Sequence, residues 1–99
     1  KKVDLWTVRA QFQTGECYFN MKKYDQAIAR FVHIEIDKSF KKYPGWQAKS
    51  ILEIGRVLLA QSKREEAVQR FKDILNHPVL GKEKAATVAR QLLDKLRSG

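Results

Sequence analysis

Slid along itself until Gly15 falls on Gly55, the chain meets its own pattern: Lys23 falls on Lys63, Ala27 on Ala67, Arg30 on Arg70, Phe31 on Phe71 and Ile34 on Ile74, with Tyr18 on Leu58 and Phe19 on Leu59 as conservative matches. A fixed period constrains a fold strongly, because each copy is one supersecondary unit that must stack on its neighbour to bury its apolar face. The spacing Gly, Ala, Phe, Ile predicts a pair of packed helices in each copy. A residue without a side chain lets two helices approach, a small Ala fills the facing position, and Phe and Ile fill the wider gap toward the next pair.

Apolar residues recur at three- and four-residue steps along almost the whole chain, as amphipathic helices require, and no segment alternates as a strand would. The first helix reads through Leu5, Val8, Phe12, Gly15, Tyr18 and Phe19 and breaks at Lys22-Lys23. The second reads through Tyr24, Ala27, Ile28, Phe31, Ile34 and, less regularly, Phe40, which predicts a long helix stopping just before Pro44-Gly45. Pro44 disfavours helical geometry at Tyr43, and Gly45 is expected to supply a flexible corner. A third helix carries Ala48, Ile51, Leu52, Ile54, Gly55, Leu58 and Leu59. Ser62 is expected to act as N-cap-like punctuation before the fourth, with Glu65 and Glu66 in the first turn and Ala67, Val68, Phe71, Ile74 and Leu75 on the apolar side. Asn76-His77-Pro78 ends it, and a fifth helix runs from about Lys82 to Arg97 through Ala85, Val88, Ala89, Leu92, Leu93 and Leu96. The expectation is one all-α domain over residues 1–99: antiparallel hairpins at about 3–43 and 45–77 and a capping helix at about 82–97.

Ninety-nine residues allow one modest core, and an apolar share of 43% with ten aromatics is enough to build it. Twenty Lys and Arg against eleven Asp and Glu give a net charge of +9, a field that favours acidic partners, phosphate backbones or anionic membranes. The cations are scattered, mostly where helices end, and there the helix dipole favours them without any ligand. Cys17 is the only cysteine, which excludes an internal disulfide and a cysteine-based zinc cage. It is expected to be a small buried thiol. No run approaches the roughly 18 apolar residues that span a bilayer. The start, Lys1-Lys2-Val3-Asp4, lacks the apolar stretch of a signal peptide. Beginning without methionine and ending in Ser98-Gly99, the chain reads as an excerpt of a longer protein, with the compartment open between cell envelope, periplasm and cytoplasm.

The repeated residues resemble the tetratricopeptide repeat, whose pattern has Gly at the eighth position, an aromatic at the eleventh, Ala at the twentieth, an aromatic at the twenty-fourth and a small or apolar residue at the twenty-seventh. Gly15, Tyr18, Ala27, Phe31 and Ile34 match in the first copy, with Tyr24 opening its second helix; Gly55, Leu58, Ala67, Phe71 and Ile74 match in the second. Ala85, Val88, Ala89 and Leu92 are similar to the first helix of a third repeat, placed after their counterparts at the spacing usual in the family. The departures are Gln11 where a bulky residue is usual, Ser39 where a proline is usual, and a period of 40 where the family uses 34. The second helix is therefore either extended or followed by a longer loop between His33 and Tyr43. With the ending Lys41-Lys42-Tyr43-Pro44 this is similar to bacterial cell-envelope repeat proteins, among them the Tol-Pal-associated cell-division coordinator.

The resemblance implies a short right-handed superhelix of five helices that acts as a scaffold or adaptor and holds another protein without catalysing a reaction. It also implies a concave groove, lined by the first helix of each hairpin, that receives a peptide or a partner helix. Carried over by position, the groove residues are Arg9, Phe12, Glu16, Phe19 and Asn20, then Lys49, Leu52, Arg56, Leu59 and Ala60, then Glu83, Ala86 and Arg90 from the cap. Apolar anchors among cations suit an acidic peptide, with Phe12 and Leu52 supplying buried area and Arg9, Lys49, Arg56 and Arg90 supplying register. Phe19 and Leu59 read equally well as core. A family variant that captures chaperone C-termini uses a Lys and an Asn where this chain has Phe12 and Glu16, so that ligand is not expected.

No cofactor or metal is expected. His33 and Asp37, one turn apart with Glu35 near, lack the further ligands of a metal site. The acidic residues, Glu53 among them, are expected to have no apolar setting that would fit them for acid-base work, and the glycines stand singly, without a phosphate loop. The rival to protein binding is nucleic acid, carried by Lys38, Lys41, Lys42, Tyr43, Trp46 and Lys49, a set that can track a backbone and stack bases. A third reading is a spacer in a longer array, with Val3, Leu5 and Trp6 forming a self-association surface on the first helix.

Overall fold

A computed structural model describes residues 4–98, and Lys1, Lys2, Val3 and Gly99 lie outside the described residues. Among the described residues every regular element is helical: α1 (Leu5–Asn20), α2 (Tyr24–Ile36), α3 (Pro44–Ala60), α4 (Arg64–Asn76) and α5 (Lys84–Ser98), with 3-10 turns at Lys38–Phe40 and Leu80–Lys82. The all-α class and the five helices are as the repeat predicts. The shorter spacing read for the cap holds in the packing, since the buried Ala85, Ala86 and Ala89 stand 34 residues after the buried Ile51, Leu52 and Gly55.

Local chemistry sets the boundaries. Asp4 opens α1 by accepting from the Thr7 amide at 2.9 Å, which satisfies one of the donors a helix leaves free in its first turn. α1 closes on Lys22, which is left-handed at φ 61°, while the Lys22 amide donates to Phe19 at 2.9 Å and the Lys23 amide to Tyr18 at 2.8 Å. α3 closes in the same way on Ser62 at φ 63°, with Ser62 donating to Leu59 at 3.0 Å and Lys63 to Leu58 at 2.8 Å. This paired closure satisfies the orphan carbonyls of a helix end. Ser62 therefore ends α3, and its reading as an N-cap of α4 is corrected: that place is held by Lys63, with no side-chain cap.

The long second helix is also corrected. α2 stops at Ile36, where Asp37 turns extended and its carboxylate accepts from the Ser39 amide at 2.8 Å, and the following 3-10 turn buries Phe40. An Asp side chain offering the backbone an alternative partner is enough to end a helix. The residues beyond the family period thus form the connection, and the helix is not extended. Pro44 occupies the first turn of α3, where its missing N–H costs nothing, so Gly45 is helical and makes no corner. In the second connection His77 Nδ1 accepts from the Val79 and Leu80 amides, both at 3.0 Å.

α2 packs on α1 and α3, α4 packs on α3 and α5, and α3 also meets α1 and α5. As the middle helix, α3 buries residues on nearly all sides, leaving Lys49, Arg56 and Ala60 exposed. Within each hairpin the glycine faces an aromatic ring. A Cβ on Gly15 would stand 2.6 Å from Phe31 Cε1, and one on Gly55 2.7 Å from Phe71 Cζ. The expected partner, Ala27 or Ala67, is buried but is not what the glycine admits. Phe31 and Phe71 are wholly buried, each worth about 1.5–3 kcal/mol of transfer free energy. The hairpins are further tied by Arg70 of α4, whose two terminal nitrogens donate to Glu35 of α2 at 2.7 and 2.9 Å.

Candidate partner-binding trough

The polar side of α3 is one stripe. Lys49, Glu53, Arg56 and Ala60 recur at steps of four, three and four, and their counterparts one repeat earlier on α1 are Arg9, Gln13, Glu16 and Asn20. Residues so spaced share one helix face. Because α1 and α5 flank α3, this face lies along the floor of a trough with two hollows. The hollow between α1 and α3, about 560 Å³, is lined by Gln13, Glu16, Cys17, Phe19, Asn20, Glu53 and Arg56. That between α3 and α5, about 500 Å³, is lined by Gly45, Lys49, Leu52, Glu53, Arg56, Glu83, Lys84, Ala85 and Val88. Glu53 and Arg56 belong to both, so the hollows are halves of one site.

Glu53 is only 8% exposed and its carboxylate accepts from Arg56 Nη1 at 2.8 Å. Burial pushes its carboxyl above the ordinary carboxylate value; Arg56 and Lys49 pull it back, and Glu16 adds to the push. The expectation that Glu53 has no setting to raise its pKa is thereby corrected. Lys49 is held over two rings, its ammonium 5.0 Å from the centroid of Phe12 and 5.1 Å from that of Trp46, a cation–π arrangement. Arg9 stands 5.7 Å over Trp6.

Of the residues assigned by position, Glu16, Phe19 and Asn20 line the first hollow, Lys49, Leu52 and Glu83 the second, and Arg56 both. Phe12 is corrected: it is 2% exposed, with its ring 5.2 Å from Phe31 and 5.3 Å from Trp46, and is therefore core. Leu59 packs against the core and Ala86 is buried. Arg90 is corrected too, since it lies in a separate hollow with Lys72, Leu75 and Asp94. α5 turns Lys84, Ala85 and Val88 toward the trough, and Arg90 stands about 160° around the helix from Val88 at 3.6 residues per turn. Cys17, expected to be buried, is exposed. The sequence reading missed Gln13 and Glu53 as lining residues, although polar residues at positions 49, 53 and 56 of an otherwise apolar helix are a readable signal. Lys84 and Val88 had no such signal, because α5's facing depends on where its helix begins.

The aromatic-basic set around Trp46 is largely engaged with itself. Trp46 packs edge-on to Phe12 under Lys49, and Lys42 stands 5.5 Å over Tyr43. Leu5 and Trp6 at the start of α1 are exposed, while Val3 lies outside the described residues. His33 and Asp37 meet at 3.4 Å, and among the described residues no three His, Cys, Asp or Glu side chains gather as metal ligands. No described helix is long and apolar enough to cross a membrane.

No curated protein and no solved structure matches the chain. Residues 9–31, which carry most of α1, its left-handed closure and α2 as far as Phe31, match the family model of the tetratricopeptide repeat, and this supports a tetratricopeptide repeat family for the chain.

Proposed function

We propose that this chain is a non-catalytic protein–protein interaction module that holds a peptide or a helix of another protein in the trough between α1, α3 and α5. One observation carries the reading: three first helices stand side by side and leave two hollows joined through the Glu53–Arg56 pair. A concave site lined by apolar surface with a few placed polar groups is where ligands are received, and a repeat of this family is associated with protein partners. Val88, half-buried over the core residues Leu52 and Ala85, offers apolar area, and Lys49, Glu53 and Arg56 offer register. Self-association through Leu5 and Trp6 is the secondary proposal, resting on their exposure of 49% and 71%.

The test is a selection of displayed peptides on the wild-type chain, followed by affinities for Arg56→Glu and for the control Arg97→Glu, which lies outside the trough. Binding is expected to weaken at least roughly tenfold in the first variant, because a close like-charge contact replaces a favourable one, and to hold in the second. Equal affinities for wild type and Arg56→Glu, with unchanged helical circular dichroism, reject the trough.

A further inference from the structure

Resting on the trough reading above, we infer that the partner segment is dipolar: a basic side chain enters the hollow between α1 and α3, and an apolar side chain with a carboxylate beside it enters the hollow between α3 and α5. The net charge of +9 points instead to a uniformly acidic partner, but net charge describes the whole surface and the trough is charged differently.

Glu53 and Arg56 stand in both hollows and neutralise each other at 2.8 Å. What remains in the first hollow is Glu16, exposed and without an ion pair among the described residues, beside the uncharged Gln13 and Asn20. Glu16 and Glu53 thus put two carboxylates in this hollow against the single cation Arg56. This hollow carries an acidic excess, and an arriving cation relieves it.

The second hollow holds Lys49 and Lys84 against Glu83. The Glu83 carboxylate reaches the first turn of α3, its Oε1 lying 3.1 Å from where a Cβ of Gly45 would stand. There the helix dipole already favours an anion. The two lysines keep their charge for a ligand, and Lys49 is held in place by the rings beneath it. Between them the floor is the half-buried Val88, with the buried Leu52 and Ala85 behind it, an apolar surface that a carboxylate alone would not use. The charge order across the trough is therefore acid, neutral pair, base, and complementary potential is what sets a partner's register and excludes wrong ones.

The experiment uses three pools of fluorescent synthetic peptides that share randomised apolar positions and differ only in charge pattern: dipolar, all-acidic and all-basic. By fluorescence anisotropy the dipolar pool is expected to bind roughly tenfold tighter than either other pool, the scale of a few exposed charge pairs matched and not reversed. Glu16→Lys is expected to shift preference to the all-acidic pool, and Lys49→Glu to the all-basic one; both side chains are exposed. Occupancy of the trough is read separately by protection of Cys17 from iodoacetamide, since that thiol is exposed and lines the first hollow. If the all-acidic pool binds tightest and protects Cys17, the trough stands and the dipolar partner falls. If no pool protects Cys17, the trough reading itself fails and takes this inference with it.

Discussion

A methyl group on Gly15 would enter space held by the Phe31 ring, 2.6 Å from its nearest atom, and the same holds for Gly55 against Phe71. Both rings are wholly buried and have nowhere to swing. Alanine is the better helix former by about 1 kcal/mol, but overpacking a tight core costs about 1–3 kcal/mol, so Gly15→Ala and Gly55→Ala are each expected to destabilise by up to roughly 2 kcal/mol in urea unfolding. Adding Phe31→Leu to Gly15→Ala should recover part of that loss; additive losses would mean the ring is not the obstacle. Glu53 makes the opposite kind of case, since burial lifts its carboxyl above the ordinary value of 4.5 in the folded chain. Between 4.5 and that raised value the folded state binds more protons than the unfolded one, so Glu53's contribution is complete below 4.5 and stability is lost as pH rises through the window. Glu53→Gln mimics the protonated form. It is expected to be more stable than wild type at pH 7 and equal to it near pH 4 by thermal melts; a variant weaker at pH 7 would show that Arg56 outweighs the burial.

The helices themselves end where the backbone can be satisfied, and two of these endings are held by residues poorly suited to them. Lys22 and Ser62 are left-handed at φ 61° and 63°, a conformation that costs an L-residue with a Cβ roughly 1–2 kcal/mol. Glycine avoids the clash but loses more chain entropy on folding, so Lys22→Gly and Ser62→Gly are each expected to stabilise by about 0.5–1 kcal/mol, read as a raised urea midpoint at constant m-value. Replacement by alanine should give no such gain. The existence, type and order of all five helices were legible because period-3.6 patterning and the internal repeat agree. The joins were not. Ile36 ends α2 because Asp37 captures the Ser39 amide, a local competition that Phe40 masks by continuing the apolar spacing. Pro44 reads as a stop in sequence, yet a proline in the first turn starts a helix equally well. The site was legible in part: Lys49 and Arg56 were found by position on α3, whereas Arg90 was lost because α5 turns Lys84, Ala85 and Val88 toward the trough and Arg90 away from it.

At the scale of the whole molecule, the question is what makes two hairpins and a cap one body. Stacking through α3 supplies most of it, since α3 meets all four other helices. The one charged tie described between α2 and α4 is the Glu35–Arg70 fork, 2.7 and 2.9 Å long and about one-fifth exposed at either end. Arg30, its counterpart one repeat earlier, is engaged inside its own hairpin with Gln11 at 3.2 Å. Identical residues in a repeat thus do different jobs because Gln11 and Glu35 have no equivalents at Ile51 and Leu75. A fork of two charge-assisted hydrogen bonds is stronger than an exposed ion pair, and its partial exposure discounts it. Arg70→Ala is expected to cost about 1–2 kcal/mol, a fall of roughly 4–15 °C in Tm for a domain of this size, and more than Arg30→Ala, which loses a single hydrogen bond from a guanidinium to an uncharged amide oxygen. A double-mutant cycle with Glu35→Ala should return most of the Arg70 loss as coupling. If the two losses simply add, the hairpins are joined by apolar stacking and the hydrogen bonds from Gln47 to the Ile34 and Glu35 carbonyls, and the fork plays no part in holding the α1, α3 and α5 faces in the alignment the trough requires.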